Sequence, residues 1–304
     1  MRRSRRGQLV LLGILGAALL SMPSAAQALT CGQTVTHDVT LHANLDCSAS
    51  GTDGLIVGKG NTTVDLNDHA IIGDGSNYDG VYTDKNRTRV VDGTIKRFAY
   101  DVYLDGDDLN SNANPVVRNL DLKLGGTQGY EGVFGEYVTG ASVTGNTIRN
   151  ANDGIYLSFG SDNAFEDNKI VHTTFGIDTY DEDDDRIVEN KVLKGRPVGS
   201  AYAFYGLYGA HDLYKQDVAR GPGFEEGFYL DSMRHVTVTR SRANGTADDG
   251  IDIVNNDPDQ NLTATVKHST FNNNANYGAY ADFKGTTGGD NTARHNPCYH
   301  VPCN

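Results

Sequence analysis

One short phrase recurs along residues 53–281: a glycine, usually after an acid or an aromatic residue, then an apolar residue, an outward position and a second small or apolar residue. It reads Asp53-Gly54-Leu55, Asp79-Gly80-Val81, Glu131-Gly132-Val133, Asp153-Gly154-Ile155, Phe175-Gly176-Ile177, Tyr205-Gly206-Leu207, Glu226-Gly227-Phe228, Asp249-Gly250-Ile251 and Tyr277-Gly278-Ala279. Asp101-Val102 fills the slot once without glycine. Several intervals are 21 to 23 residues, and longer ones, such as 176 to 206 and 250 to 278, fit a coil carrying an inserted loop. A fixed period of this size means a stacked array. The residue after the slot is apolar throughout (Leu55, Val81, Val102, Val133, Ile155, Ile177, Leu207, Phe228, Ile251, Ala279), and the residue two further on is small or apolar. Two buried columns at period two predict a β-strand, once per coil.

A second strand is predicted at Ala141-Ser142-Val143, Ala164-Phe165, Ile187-Val188 and Val236-Thr237-Val238. Asn146, Asn168 and Asn190 then recur at 22-residue spacing before Thr147-Ile148, Lys169-Ile170 and Lys191-Val192. Asparagine accepts left-handed backbone and can hydrogen-bond to its copy one coil away, so these three predict a ladder at a turn. A single coil cannot bury its apolar faces, and stacking does so. The fold class is therefore all-β, a parallel β-helix of about ten coils, very roughly 50 Å long at the usual strand spacing. The leucine-asparagine consensus and helices of leucine-rich repeats are absent from the pattern.

The N-terminus reads differently. Arg2, Arg3, Arg5 and Arg6 precede an apolar stretch from Leu9 to Leu20, and Ala26-Gln27-Ala28 offers small residues for cleavage. Residues 1–28 are thus expected to be a signal peptide, Sec or twin-arginine, with the β-helix occupying 29–304 and exported to the periplasm or secreted. The apolar stretch is too short to span a membrane. Its removal takes four arginines and no acids from a chain whose net charge is already −13. Nucleic acid and anionic membranes are poor partners for such a surface, and an anionic polymer needs a bridging cation or a local basic patch. The four cysteines lie at the two ends, and an oxidising compartment predicts the disulfides Cys31–Cys47 and Cys298–Cys303 rather than a metal site.

Candidate chemistry sits on the outward column of the repeated strand, read as Ile56, Tyr82, Tyr103, Phe134, Tyr156, Asp178, Tyr208, Tyr229, Asp252 and Tyr280. Tyr82, Tyr103, Tyr156, Tyr208, Tyr229 and Tyr280 are candidate polysaccharide-binding residues, because flat rings stack on sugar faces and a ladder of them suits an extended chain. Stacked aromatics also stabilise sheets without any ligand. Asp84, Asp105, Glu136, Asp231 and Asp282 follow two residues later and could bond hydroxyls or cations. The run Tyr180-Asp181-Glu182-Asp183-Asp184-Asp185 reads as a solvated loop or a second cation site. A coil-to-coil cluster of Glu226, Asp248, Asp249 and Asp252 supplies the carboxylate oxygens that Ca²⁺ takes, although Asp-Asp-Gly also arises as turn chemistry.

Across nearly all of residues 31–290 the chain resembles the right-handed parallel β-helix repeat proteins, whose relatives include pectate lyases and other carbohydrate-active exported proteins. More locally, Glu226-Gly227-Phe228-Tyr229, Ser241-Arg242-Ala243 and Asp248-Asp249-Gly250-Ile251-Asp252 resemble the calcium-site segment of the family-nine pectate lyases. The resemblance puts Glu226, Asp248, Asp249 and Asp252 on the calcium ligands, with glutamate replacing one aspartate. It implies a Ca²⁺ that bridges to a uronate carboxylate and acidifies the neighbouring proton, which a lysine removes for β-elimination. The position matching that lysine is Tyr280, and the nearest lysine, Lys284, is out of alignment. Three readings follow: a lyase-like enzyme on an acidic polysaccharide, a non-catalytic glycan-binding or surface protein, and a periplasmic metal-handling β-helix protein. A total of three methionines, two of them within the predicted signal peptide, weighs against the third.

Overall fold

The computed structural model describes residues 28–107, 111–125, 130–196, 200–257 and 262–304. All but the last residue of the predicted signal peptide lie outside them. Among the described residues every named strand pairing is parallel and no helix occurs. One sheet, the front sheet, contains twelve strands in chain order, from Gln33–Val35 to Cys298–Tyr299. The ten strands between these two are the ten coils expected from the repeat. The two outermost strands lie beside the disulfides Cys31–Cys47 and Cys298–Cys303, which close the ends as the cysteine spacing predicts.

Each regular coil adds two shorter strands, such as Ser142–Thr144 and Thr147–Arg149, which pair with Ala164–Glu166 and Lys169–Thr173 of the next coil. In two coils these merge into single eight-residue strands, Arg89–Lys96 and Val116–Lys123. The inward front column is sealed: Leu55, Val81, Val102, Val133, Ile155, Phe204, Phe228, Ile251 and Ala279 are fully buried. The slot glycine allows coils to approach at the bend. A Cβ on Gly154 would stand 2.5 Å from the Gly176 carbonyl oxygen and 2.6 Å from Ile170 Cγ2. This is a demand for space and not for left-handed backbone.

One register departs from the sequence reading. Phe204 pairs with Phe228, Tyr205 with Tyr229 and Gly206 with Leu230. Ala203 therefore serves as the small slot residue, and Tyr205, not Tyr208, occupies the outward column. Tyr208 lies just past the strand at φ 61°, in a left-handed corner column with Tyr137 (51°) and Phe159 (60°). Tyr-Gly-Leu imitated the repeat, and the inserted loop hid the three-residue offset.

The asparagine ladder is present and longer than expected. Asn146 Nδ2 donates to Asn168 Oδ1, and Asn168 Nδ2 to Asn190 Oδ1, each at 3.0 Å; Asn190 Nδ2 continues to Asp217 Oδ1 at 3.1 Å. The left-handed residue is the one before each ladder position (Gly145, Asp167, Glu189, Gln216), so the asparagines contribute amides, not backbone freedom. A parallel ladder, unseen in sequence, runs through Asn163, Asp185 and Asp212, each accepting the backbone N–H of the coil before. The acidic run is accordingly not a solvated loop: Glu182 and Asp185 are buried at this corner.

Candidate functional site on the front sheet

Alternation puts two columns on the outside of the front sheet. One is the outward column, corrected to Tyr82, Tyr103, Phe134, Tyr156, Asp178, Tyr205, Tyr229, Asp252, Tyr280 and Tyr299. The other precedes the slot and includes Asp79, Tyr100, Glu131, Asp153, Phe175, Tyr202, Glu226, Asp249 and Tyr277. The repeat showed that this second column is acid or aromatic, but not that its rings interleave with the first.

The rings form continuous runs. Tyr82, Tyr103, Phe134 and Tyr156 follow one another at centroid distances of 5.4, 5.1 and 5.3 Å. Tyr205 and Tyr229 lie parallel within 7° at 5.4 Å, and Tyr202 joins them at 5.3 and 5.0 Å. Tyr280 stacks on Tyr299 at 5.2 Å. Mutual packing leaves most of these rings half-buried, some stacked face to face and others edge-on. Asp178 and Asp252 are the two acids that interrupt the row. Tyr208 stands apart from it, edge-on to Tyr180 in the corner column.

Around Asp252 the predicted carboxylates partly converge. Ligand oxygens of Glu225, Glu226 and Asp248 lie within 4.8 Å of one another. Glu225 was missed because it precedes the repeat phrase by one residue, and no column pattern marks it. Asp249 is engaged elsewhere. Its Oδ1 accepts the Tyr277 N–H at 2.7 Å, closing the turn between coils. Glu226 Oε2 and Asp252 Oδ1 are buried without a hydrogen-bond partner. Burial, then Glu225, Asp252, Asp248 and Asp249, push the Glu226 carboxyl up to about 9. Burial, then Asp249 and Asp282, push Asp252 up to about 7. A set of hard oxygen donors, mutually repelling and with an orphaned buried atom, fits a divalent cation such as Ca²⁺.

The charges acting on Glu226, Asp249 and Asp252 are all carboxylates. Lys284 is not among them. It is exposed in the turn after the strand Ala279–Ala281, and the geometry does not unite it with the cluster.

A second group of front-face acids, Glu131, Asp153 and Asp178, was not singled out from the sequence. Burial, then Asp153 and Glu131, hold the Asp178 carboxyl well above the usual carboxylate range. Burial raises Asp153 to about 7, and burial with Asp153 beside it raises Glu131 to about 8.

The family model described as "Right handed beta helix region" matches residues 28–199 and 79–297. No curated protein matches significantly in sequence. Among solved structures, the catalytic unit of the thermostable GH87 alpha-1,3-glucanase from Streptomyces thermodiastaticus strain HF3-3 aligns with TM-score 0.61 at 16% identity, over 90% of this chain and 60% of that one. The Dettilon tailspike protein aligns with TM-score 0.64 at 14% identity, over 88% of this chain and 60% of that one. The periplasmic alginate epimerase AlgG aligns with TM-score 0.55 at 10% identity, over 82% of this chain and 62% of that one. This chain thus spans about three fifths of the length of each, and at these identities the likeness is one of fold.

Proposed function

The chain belongs to the right-handed β-helix family, and on that premise we propose that it is an exported protein that engages an extended acidic polysaccharide along its front sheet. Glu225, Glu226 and Asp248, with Asp252 beside them, would hold Ca²⁺, which would supply the positive charge that attracts the sugar carboxylates. The observation that carries this reading is the outer face itself. Two interleaved columns of rings run along successive coils, and Asp252, one of the two acids that break the outer row, carries a buried, unpartnered oxygen, with another on Glu226. The half-exposed rings of the row, some stacked and some edge-on, offer contact surface to successive sugars, and contiguous aromatic surface that reaches solvent marks interaction sites. An alginate epimerase and an alpha-1,3-glucanase among the fold neighbours support the polysaccharide class. Two disulfides and the periplasmic location of the alginate epimerase support export.

Bound Ca²⁺ supplies positive charge where a −13 chain otherwise repels an anionic polymer. The residues of the chain do the rest. Tyr202, Tyr205 and Tyr229 form the platform on one side of the cluster, Tyr280 and Tyr299 the platform on the other. Asp249 fixes the turn that carries Asp248. Among the described residues no lysine charge acts on Glu226, Asp249 or Asp252, so the cluster is read as one that grips a polymer.

The test is calorimetry of Ca²⁺ into the intact protein, with thermal unfolding as a second readout. Binding at millimolar concentration or tighter is expected. At one hundred times Kd it should stabilise the fold by about 2.7 kcal/mol, growing with the logarithm of concentration. Glu226→Gln should remove most of the gain. Absence of Ca²⁺ binding at millimolar levels would leave these acids as turn chemistry.

A further inference from the structure

The chain carries 39 acids against 26 lysines and arginines, yet one face of it is basic. That face is built from the second short strand of successive coils: Lys169–Thr173, Lys191–Gly195, Val218–Arg220, Arg242–Asn244 and Thr270–Asn272, paired in that order. It belongs to a different sheet from the front strands. Ile170, Val192, Ala219, Ala243 and Phe271 point inward and are fully buried. The residues flanking them point outward. Lys169 stands directly opposite Lys191, and Arg242 follows in the same column after Val218. Arg220 pairs with Asn244 and so lies diagonally across from Arg242, while Arg240 turns the corner just before it at φ 55°.

The three arginines are exposed and line two neighbouring shallow grooves. One holds Arg240 and Arg242 with Gln216 and Thr270, the other Arg220 and Arg242 with Asn244 and Asn272, so Arg242 is common to both. Arg118, Arg149, Arg186 and Arg234 each meet a carboxylate elsewhere on the chain. Among the described residues Arg220, Arg240 and Arg242 meet none, and neither do Lys169 and Lys191. Asp167 and Glu189 occupy the corner beside the two lysines, and His268 at the groove rim faces Asp290 at 3.5 Å. The uncompensated charge is therefore centred on the arginines. Like charges on paired strands oppose folding. An acidic chain nevertheless keeps three of them together, each with the planar fork that grips a carboxylate in two-pronged fashion.

We propose that Arg220, Arg240 and Arg242 form a second anchor for an acidic polysaccharide, holding its carboxylates directly and without Ca²⁺. The anchor takes its polymer class from the reading above but uses none of the rings or acids of the front sheet. The grooves favour this occupant. Gln216, Thr270, Asn244 and Asn272 are neutral hydrogen-bonding groups suited to sugar hydroxyls. Neither groove is lined by phenylalanine or tyrosine, so nucleic-acid bases find no stacking platform. Among the described residues the exposed large apolar side chains are Tyr78, Phe159, Tyr208 and Tyr299, and none lines these grooves, so a membrane finds nothing to bury. Coils lie about 4.8 Å apart, and Lys191 and Lys169 continue the charge along the axis, as a linear polyanion requires. With sites on two faces, one molecule holds two stretches of polymer, and the second contact is intramolecular when both belong to one chain.

The test is binding of alginate to the intact protein in EDTA. Wild type should bind at roughly 50 mM salt and lose about tenfold or more in affinity at roughly 200 mM, because the contacts are charge pairs. Arg220→Gln, Arg240→Gln and Arg242→Gln together should weaken the low-salt binding about tenfold or more, with Arg242→Gln alone giving the largest single part. The side chains are exposed, so the thermal midpoint should stay at the wild-type value. Tyr205→Ala with Tyr229→Ala should leave binding in EDTA unchanged. No binding in EDTA at the lower salt, equal binding by the triple variant, or equal retention on neutral dextran would overturn the anchor. The gain on adding Ca²⁺ belongs to the front sheet and is scored separately, so either site can fail alone. Arginine-dependent binding to phosphatidylglycerol vesicles without binding to alginate would overturn the anchor in favour of a membrane surface.

Discussion

Asn168→Ala tests the ladder that fixes coil spacing. Asn168 is buried, and its side chain makes four contacts. Oδ1 accepts the Asn146 backbone N–H and Asn146 Nδ2, both at 3.0 Å. Nδ2 donates to the Val143 carbonyl at 2.8 Å and to Asn190 Oδ1 at 3.0 Å. Alanine removes all four. Asn146 Nδ2 keeps its bond to the Val117 carbonyl, and Asn190 Oδ1 keeps the Asn168 N–H. The Asn146 backbone N–H has no replacement. One buried orphan of this kind costs about 1–3 kcal/mol, and the lost amide leaves a small void in addition. A loss of about 3 kcal/mol is expected, which for a chain of this size lowers the midpoint by roughly 6–12 °C. Thermal unfolding followed by circular dichroism reads it directly. A midpoint within about 1 °C of wild type would mean that water or backbone shifts replace the ladder, and that the stack does not depend on it.

The buried corner acids make stability pH-dependent. Burial and Asp212 hold Asp185 well above its ordinary range, and burial pushes Asp212 up to about 8. Because the folded pKa exceeds the unfolded one near 4, their contribution is full at acid pH and is lost as pH rises towards 8. Thermal midpoints should therefore fall between pH 5 and pH 8, and Asp212→Asn should flatten that slope; an equal slope in the variant would refute the assignment. Thiol labelling of the denatured, unreduced protein should find no free cysteine, whereas four reactive thiols would exclude both disulfides.

The fold was legible because its main determinant is periodic. The slot glycines and the two buried columns name ten strands without help from tertiary structure, since every coil must repeat the same packing to stack. Legibility failed where the period broke. At Tyr202–Leu207 an alanine took the glycine's place and a genuine glycine followed three residues later, so local pattern pointed to Tyr208 while pairing chose Tyr205. The acidic run misleads because composition alone cannot distinguish a solvated acid from one holding a backbone N–H at a buried corner, as Asp185 does. The site was half visible. Glu226, Asp248 and Asp252 stood out through motif and column. Glu225, Asp153 and Asp178 did not, because their significance lies in neighbours about twenty residues away in sequence and one coil away in space.

The central claim is that the front sheet holds an acidic polysaccharide. It is tested most directly by titrating alginate into the intact protein by calorimetry, with and without Ca²⁺, for wild type and for the Tyr205→Ala, Tyr229→Ala double variant. The two rings lie parallel at 5.4 Å beside the carboxylate cluster, and losing them removes the platform and leaves the inward columns intact. The account predicts Ca²⁺-dependent binding that weakens about tenfold or more in the double variant, about 1.4 kcal/mol, with the fold retained. Binding that is indifferent both to Ca²⁺ and to the loss of both rings would contradict it.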